Sequence, residues 1–560
     1  MTGIKRMLIV GGVAGGASCG ARARRLSEDI EIILFERGPY VSFANCGLPY
    51  YVGDVIQEEK ELFLATPELF QKRFNIDVRV ENEVVLIDRD KSEVEIKDLK
   101  TNTLYREPYD ALVLSPGANP ITPPLSGIDF PGIFTLRTVP DSRRIREWIV
   151  KNRVNTALIV GGGFIGLEMA ENLVKRGISV TIVEMLQQVM PALDPEMAAH
   201  IYDHIKSCGV SLCLNQQVTG FKQGTKGGIS VELESNKTIV TDMVLLALGV
   251  RPDITLAKQT GLEIGARGGI YVDDQMHTSD EKIWAVGDAV ESQDFVTSEM
   301  SLIPLAGPAN RQGRIAADVI LGRDSRFRGI QGTAVCGIFD MTVASTGVSE
   351  KNIKRIKTTG ENLNYEKVYL HPNNHAGYYP KAEAIAMKLI FSPDDGTILG
   401  AQAVGKEGVE KRIDIISMAI QMRSTVFDLE DVELCYSPQF GSAKDPVNFA
   451  GMVAANTLRG DAPIAHWEDI RDSNAIIIDV RDPDEFEDGA VQDAINIPLS
   501  ELRQRIDELP RDQEIFIYCA IGQRSYYATR ILHLNGFKVR NLSGGKKTYM
   551  AFEQLLSNSE

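Results

Sequence analysis

Residues 7–16 read Met7-Leu8-Ile9-Val10-Gly11-Gly12-Val13-Ala14-Gly15-Gly16, and residues 157–166 read Ala157-Leu158-Ile159-Val160-Gly161-Gly162-Gly163-Phe164-Ile165-Gly166. Each is a short apolar run that breaks into glycines and continues as an amphipathic stretch, to about Ser27 in the first case and about Arg176 in the second. A second apolar run follows in both, Glu31-Ile32-Ile33-Leu34-Phe35-Glu36 and Val180-Thr181-Ile182-Val183-Glu184, and each closes on a carboxylate. Apolar strand, glycine turn, helix and strand is the pattern of a parallel, doubly wound sheet, here written twice in one chain.

Glycines at such a turn let the backbone approach a pyrophosphate at a helix N-terminus, and the later carboxylate accepts hydrogen bonds from a ribose hydroxyl. The second unit carries the full set, Gly161, Gly163, Gly166 and Glu184. The first keeps Gly11, Gly15, Gly16 and Glu36 but has Val13 where the middle glycine belongs. Two dinucleotide sites in one chain point to hydride transfer from a nicotinamide to a flavin. A carboxylate at Glu184 repels a 2′-phosphate, and no Lys or Arg follows before Lys206, so NADH is expected over NADPH.

Outward from these units, the chain is 560 residues long, enough for three or four domains, with 44% hydrophobic and 24% charged residues. A formal net charge of −16 argues against a general nucleic-acid binder. The sequence runs from Met1 almost directly into Met7–Val10 with no signal peptide ahead of it, and no apolar run approaches the roughly 20 residues of a membrane span. Seven scattered cysteines suit a reducing compartment, and the cytoplasm is the expected location. No metal site is expected.

Tyr109–Gly117 and Asp242–Gly249 read as strands that close the two units, and Ile283-Trp284-Ala285-Val286 leads into Gly287-Asp288. From about Gly332 to Asn448 strands such as Ala384–Phe391 alternate with helices, a separate α+β domain. Gly460 and Pro463 mark a linker, and Ala475–Val480 and Glu514–Tyr518 are strands of a smaller α/β unit. The expected architecture is α/β, with two interleaved Rossmann-like dinucleotide-binding domains, an α+β domain and a C-terminal α/β domain. Its limits are 1–150 with 251–325, 151–250, 326–450, a linker at 451–465, and 466–560.

The stretches Leu114-Ser115-Pro116-Gly117-Ala118 and Trp284-Ala285-Val286-Gly287-Asp288-Ala289 are similar to the two-dinucleotide flavoprotein reductases. The resemblance implies FAD at the first site, lined by Ser115, Gly117, Leu305 and Ala306, with Asp288 bonding the ribitol chain. It places the nicotinamide at the second site, with Gly249. Ser42-Phe43-Ala44-Asn45-Cys46-Gly47-Leu48-Pro49-Tyr50 follows the first ribose carboxylate and should bring Cys46 near the flavin. This segment, with its single cysteine, resembles the coenzyme A disulfide reductases and their persulfide-reducing relatives, and the match extends through residues 1–450.

With one thiol the expected cycle is direct. Cys46 as thiolate attacks a substrate sulfur, giving a mixed disulfide or persulfide, and electrons from NADH reach that sulfur through FAD. Cys208 and Cys213 have dithiol spacing but fall between the helix His200–Ser207 and the strand Val210–Leu214, so they read as packing residues. NADH oxidases and peroxidases of the same superfamily form a sulfenic acid on their cysteine and carry a histidine in the first glycine loop; here that position is Ala14. The alternative functions are therefore such an oxidase or peroxidase, or a redox-sensing, sulfur-trafficking protein.

The family pattern further implies coenzyme A as a bound substrate, with Arg22 and Arg25 on one face of the first helix near its nucleotide and Ser42 and Asn45 along its pantetheine arm. Arg24 reads as a solvated charge, and Cys435, Cys336 and Cys19 as core cysteines. Residues 375–380 and 435–438 again resemble these reductases, whose third domain dimerises and sends two tyrosines to the partner's cysteine. Tyr378 and Tyr436 are the matching positions, able to donate a proton to a leaving thiolate. A homodimer with shared active sites follows from the resemblance, with small-molecule disulfides or persulfides as partners and no nucleic acid or membrane.

Residues 466–558 resemble a rhodanese domain through Ile478-Asp479-Val480-Arg481, Glu485-Phe486, Ala494-Ile495-Asn496-Ile497-Pro498, Tyr518-Cys519-Ala520-Ile521-Gly522-Gln523-Arg524-Ser525 and Leu542-Ser543-Gly544-Gly545. Ala490 replaces the histidine usual before the third of these. Cys519 enters a six-residue loop closed by a helix beginning near Arg524, where backbone N–H groups and the helix dipole stabilise a persulfide anion. Arg524 is the loop's one charge, so polysulfide or thiol persulfides are expected over thiosulfate. Together the modules read as a sulfane-sulfur carrier joined to a single-thiol reductase of coenzyme A disulfide, coenzyme A persulfide or polysulfide.

Overall fold

A computed structural model describes residues 3–224, 228–357 and 363–557. The chain divides into two compact units, residues 1–183 with 216–332, and residues 184–215 with 333–560.

The first unit holds both glycine turns. Strands Arg6–Val10, Glu31–Glu36, Asp77–Val80, Ala111–Leu114 and Ile283–Ala285 form one parallel sheet, with Met7 opposite Ile32 on one side and Ala111 on the other. Met7–Val10 are buried throughout, as expected of a strand covered on both faces. The helix Gly15–Arg24 lies against the helix Ala306–Ile320 so closely that a Cβ on Gly313 would sit 2.1 Å from the Gly15 carbonyl oxygen. Strands Thr156–Val160, Ser179–Val183, Met243–Leu246 and Ile133–Phe134 build the second parallel array, and the helix Phe164–Lys175 follows its glycine turn.

The first helix ends at Arg24 instead of near Ser27, and Arg24 is not the solvated charge expected of it. Only 4% exposed, its guanidinium donates to the carbonyls of Ser27, Glu28, Ile30, Phe74 and Asn75. It ties the loop that follows its own helix to the C-terminal end of the helix Pro67–Phe74.

In the second unit an antiparallel sheet runs in the order Ala334–Ile338, Met341–Gly347, Ile398–Gly405, Ala386–Phe391, Glu366–Leu370. A parallel sheet follows in the order Ile464–Ala465, Val539–Leu542, Ile515–Tyr518, Ile476–Asp479, Ile495–Asn496. The segment 451–465, expected as a linker, is mostly ordered: the helix Pro446–Leu458 occupies its first half and the strand Ile464–Ala465 its end. The Asp445 carboxylate caps that helix at the Val447 N–H, which fixes where it begins. The helix expected over His200–Ser207 spans Tyr202–Ser207, preceded by a short helix Pro195–Ala199.

A fully buried Lys388 lies at the centre of this unit, 2.8 Å from Asp194 Oδ2, 2.6 Å from Glu196 Oε1 and 2.7 Å from Glu350 Oε2. Lys367 extends the network at 2.9 Å to both Glu350 and Glu468, and the Tyr369 hydroxyl donates to Glu196. The three carboxylates stand close enough together to ligate a cation. The Lys388 ammonium is that cation.

Candidate active site

A cavity of about 830 Å³ in the first unit is lined by Gly11, Gly15, Glu36, Asn45, Cys46, Ser115, Gly117, Arg137, Asp288 and Ala306, among others. The sequence separates these residues by nearly three hundred positions; the parallel sheet brings them to one edge. The glycines are required here. Gly11 has φ +94° and a Cβ on it would fall 2.0 Å from the Ser115 carbonyl oxygen, while one on Gly16 would fall 1.9 Å from that of Gly11. Gly16 N–H donates to Ser115 Oγ at 3.1 Å, tying the turn to the neighbouring strand.

Glu36 stands in the cavity wall and accepts from the N–H groups of Gly12 at 2.9 Å and Gly38 at 2.8 Å. Burial raises its pKa, and the two backbone donors and Arg37 act against that rise. The N-terminal ends of two helices, at Gly15 and Ala306, open on the same space. Glycine turn, ribose carboxylate and two helix N-termini form a donor set that fits an adenine dinucleotide. Val13, in place of the middle glycine, lines the wall without closing it.

Cys46 lies in a single turn of 3₁₀ helix, Asn45–Gly47, at the start of the helix Leu48–Val52, and is exposed to the cavity. Burial raises its thiol pKa most, and the Glu168 and Asp288 carboxylates raise it further, with Arg137 opposing them. Arg137 joins the pieces: its NH2 bonds Asp288 Oδ2 at 2.9 Å and its carbonyl accepts from Asn45 Nδ2 at 2.6 Å. Glu168 is a participant the sequence reading missed. It rides on the helix after the second glycine turn, is pushed up to about 7 by burial, and accepts a bond from the Tyr50 hydroxyl at 3.5 Å. Its signal was the carboxylate in Gly166-Leu167-Glu168, one turn into the helix that follows the second glycine turn.

Ser42 and Leu305 fall outside this wall. Ser42, at φ +47°, instead donates its N–H to the Gly12 carbonyl, and Leu305 caps the helix Ala306–Ile320. Arg22 is 2.7 Å from Asp318, which already matches its charge; Arg25 is the exposed member of the pair. In the second turn Gly161 has φ +108° and a Cβ there would meet the Ala247 carbonyl oxygen at 2.4 Å, while a Cβ on Gly166 would lie 2.1 Å from the Gly161 carbonyl oxygen. Gly163 caps the helix, and Gly249, at φ +88°, accepts from the Ile121 N–H. Glu184, in the second unit, is buried and accepts from the Leu186 N–H at 2.8 Å.

In the second unit the Tyr378 and Tyr436 hydroxyls are 2.8 Å apart, although 58 positions separate them, and the rings are 77% and 51% exposed. Their mutual hydrogen bond raises the Tyr378 pKa. Cys435 beside them is exposed, not a core residue as expected, whereas Cys19 and Cys336 are buried. The sulfur of Cys208 is 3.7 Å from His204 Nε2, and neither Cys208 nor Cys213 is in a disulfide.

Cys519 ends the strand Ile515–Tyr518, and its sulfur accepts from the Gly522 N–H at 3.2 Å and the Ser525 hydroxyl at 3.4 Å. Among the described residues, one backbone N–H and one hydroxyl serve the thiol sulfur. The closing helix, Gln523–Leu534, starts one residue before Arg524. Arg524 is not free to meet an anion: it bonds Glu485 through both terminal nitrogens, at 2.6 and 2.8 Å, and Asp482 at 3.3 Å. Gly545 supports the loop from behind, where a Cβ would lie 2.4 Å from the Cys519 carbonyl oxygen.

Residues 5–313 match the pyridine nucleotide-disulphide oxidoreductase family, residues 333–445 its dimerisation domain and residues 463–551 the rhodanese-like domain. Over 450 residues the chain is 33% identical to coenzyme A disulfide reductase of Staphylococcus aureus (strain bovine RF122 / ET3-1), covering 80% of this chain and 99% of the relative. Two solved structures match nearly its whole length. Reduced CoADR-RHD of Bacillus anthracis is 48% identical with a TM-score of 0.95, covering 99% of each chain. A NAD-dependent persulfide reductase from A. fulgidus is 37% identical with a TM-score of 0.89, covering 97% of this chain and 100% of the other. The chain belongs to the pyridine nucleotide-disulphide oxidoreductases, flavin enzymes that take electrons from a pyridine nucleotide, and carries a rhodanese-like domain at its C-terminal end.

Proposed function

We propose that the protein uses NADH and FAD to reduce coenzyme A disulfide, coenzyme A persulfide or polysulfide at the single thiol of Cys46, with Cys519 carrying sulfane sulfur. The observation that carries this reading is that, among the described residues, Cys46 is the one cysteine in the wall of the dinucleotide cavity. Bound FAD would supply the electrons that NADH donates. The chain's own groups do the rest: Gly11, Gly15 and Gly16 admit the pyrophosphate, Glu36 holds a ribose, and Asn45, Arg137 and Asp288 fix the backbone around the thiol.

The buried Glu184 carboxylate disfavours a 2′-phosphate, which supports NADH over NADPH; comparing kcat/KM for the two nucleotides tests it. Arg25, exposed at the C-terminal end of the first helix, is the residue best placed for a coenzyme A phosphate, with Ser42 and Asn45 along the arm. The Tyr378–Tyr436 pair, exposed and hydrogen-bonded, suits a group offered to the partner's Cys46 in a homodimer. In this reading residues 1–150 with 251–325 bind FAD, 151–250 bind NADH, 326–450 dimerise and 466–560 carry sulfur. Among the described residues no helix is long and apolar enough to cross a membrane. The seven scattered cysteines, none in a disulfide among the described residues, support a reducing compartment such as the cytoplasm.

The test is a panel of NADH-oxidation rates with coenzyme A disulfide, coenzyme A persulfide, polysulfide and hydrogen peroxide. Cys46→Ser should abolish all reduction of the sulfur substrates. Cys519→Ala should spare free coenzyme A persulfide and lose sulfur delivered by polysulfide. Full activity of Cys46→Ser, or peroxide as the fastest substrate, would overturn the reading.

A further inference from the structure

The second unit contains a cavity of about 490 Å³ between the antiparallel sheet and the rhodanese loop. Leu370–Asn373 and the helix Pro446–Leu458 form one wall, and Ile521, Gly522, Gln523, Tyr526 and Tyr527 the other. Its size falls in the range of roughly 300–1,000 Å³ that takes a small organic molecule. The nucleotide site does not use it, since none of its lining residues lines the first unit's cavity.

Three features describe an occupant. Among the described residues the wall contains no Asp or Glu, and its one formally charged side chain is the exposed Lys444. His371 adds no charge, because burial holds it well below its ordinary pKa. Two wall residues, both at least nine-tenths buried, keep unspent hydrogen-bonding capacity among the described residues: His371 Nδ1 and Asn541 Oδ1. The same Asn541 bonds the Gly522 carbonyl at 3.3 Å, and the Gly522 N–H bonds the Cys519 sulfur at 3.2 Å. The reactive sulfur is one hydrogen bond behind the wall.

Resting on the reading of Cys519 as a sulfur carrier, we propose that this seam is the donor site of the rhodanese module, taking a low-molecular-weight organic persulfide with an apolar body and at most one negative charge. The Cys519 thiolate attacks the terminal sulfur of R–S–S–H. The donor's S–S bond breaks as the new one forms, R–S⁻ leaves and takes up the persulfide proton, and Cys519 is left as a persulfide anion. Sulfur changes hands without net oxidation or reduction.

The test is loading of full-length protein, read by mass spectrometry as one added sulfur on the Cys519 peptide. The donors are the hydropersulfide of 4-(mercaptomethyl)benzoate, which needs the cavity, and inorganic polysulfide, which is too slender to need it. Met452→Trp fills the cavity from the helix Pro446–Leu458, and Lys444→Glu reverses the charge at an exposed position that folding does not depend on. Both should raise the half-saturating concentration of the aryl donor on the order of tenfold and leave polysulfide loading within about twofold. If both variants load from both donors like wild type, or if Met452→Trp loses both donors equally while Lys444→Glu changes neither, the seam is not the donor site. If neither donor loads wild type, the carrier reading fails, and this proposal with it.

Discussion

At Cys46 the surrounding charges pull in opposite directions. Arg137 favours a thiolate, while burial, Glu168 and Asp288 disfavour it. Asp288 is already paired with Arg137, which leaves Glu168 as the adjustable term. Its carboxyl sits at about 7, so it is largely neutral in mild acid and repels the thiolate only as pH rises past neutrality. Glu168→Gln removes that repulsion, and the apparent pKa of Cys46 should fall, with the largest gain in alkylation rate above pH 7. Iodoacetamide labelling of Cys46 against pH measures this, and an unchanged profile would show that the two groups do not communicate. The buried Arg24 makes a second test. Its guanidinium serves five carbonyls, so Arg24→Ala leaves acceptors unpaired inside the unit and should cost about 3 kcal/mol or more, seen as a drop in Tm.

Among the elements, the sulfur loop sharpens an expectation. Arg524 is the loop's one charge, and Glu485 grips both of its terminal nitrogens. The loop therefore offers thiosulfate little net positive charge, and Glu485→Gln should lower the KM for thiosulfate several-fold while persulfide loading stays close to wild type; parallel sulfurtransferase assays would decide. Glu485 was legible in the sequence as part of the rhodanese pattern, but its pairing with Arg524 was not, because 39 positions separate them. The same limit explains the other misreadings. Strand–glycine–helix units declare themselves locally, through apolar runs and glycines that the close backbone contacts at Gly11 and Gly161 require. Burial of a lone charge depends on what other segments bring to it. Arg24 on a helix face and Cys435 beside a tyrosine both read as their opposites, and only tertiary packing reversed them.

For the molecule as a whole, a net charge of −16 says nothing of where its charges are costly. The second unit concentrates them. Lys388 holds the Asp194 and Glu350 carboxyls below their ordinary range, with Lys367 adding to the effect at Glu350. Their contribution to stability is present above the unfolded carboxylate range, near pH 4, and is lost only as pH falls below it. His200 and His371, in edge-on contact with each other, behave differently: burial depresses His200 to about 4 and holds His371 well below its usual value. The unfolded chain takes up those two protons near pH 6.5 and the folded chain refuses them, so stability should fall steadily from about pH 6.5 towards 4. His200→Phe with His371→Asn should flatten that slope. Lys388→Met should do something else. Asp194, Glu196 and Glu350 would lose the ammonium they share, with Lys367 and Lys354 remaining at Glu350, at a cost of about 3–5 kcal/mol; their pKa values would rise, and the folded state would now gain protons as pH falls. Its Tm should therefore be lowest near neutrality and recover towards pH 5, where wild type is losing stability. Melting curves of the two proteins between pH 7.5 and 5 give slopes of opposite sign if the ammonium neutralises the cluster; parallel slopes would mean that the carboxylates are already protonated around Lys388 and that the network is held by hydrogen bonds alone.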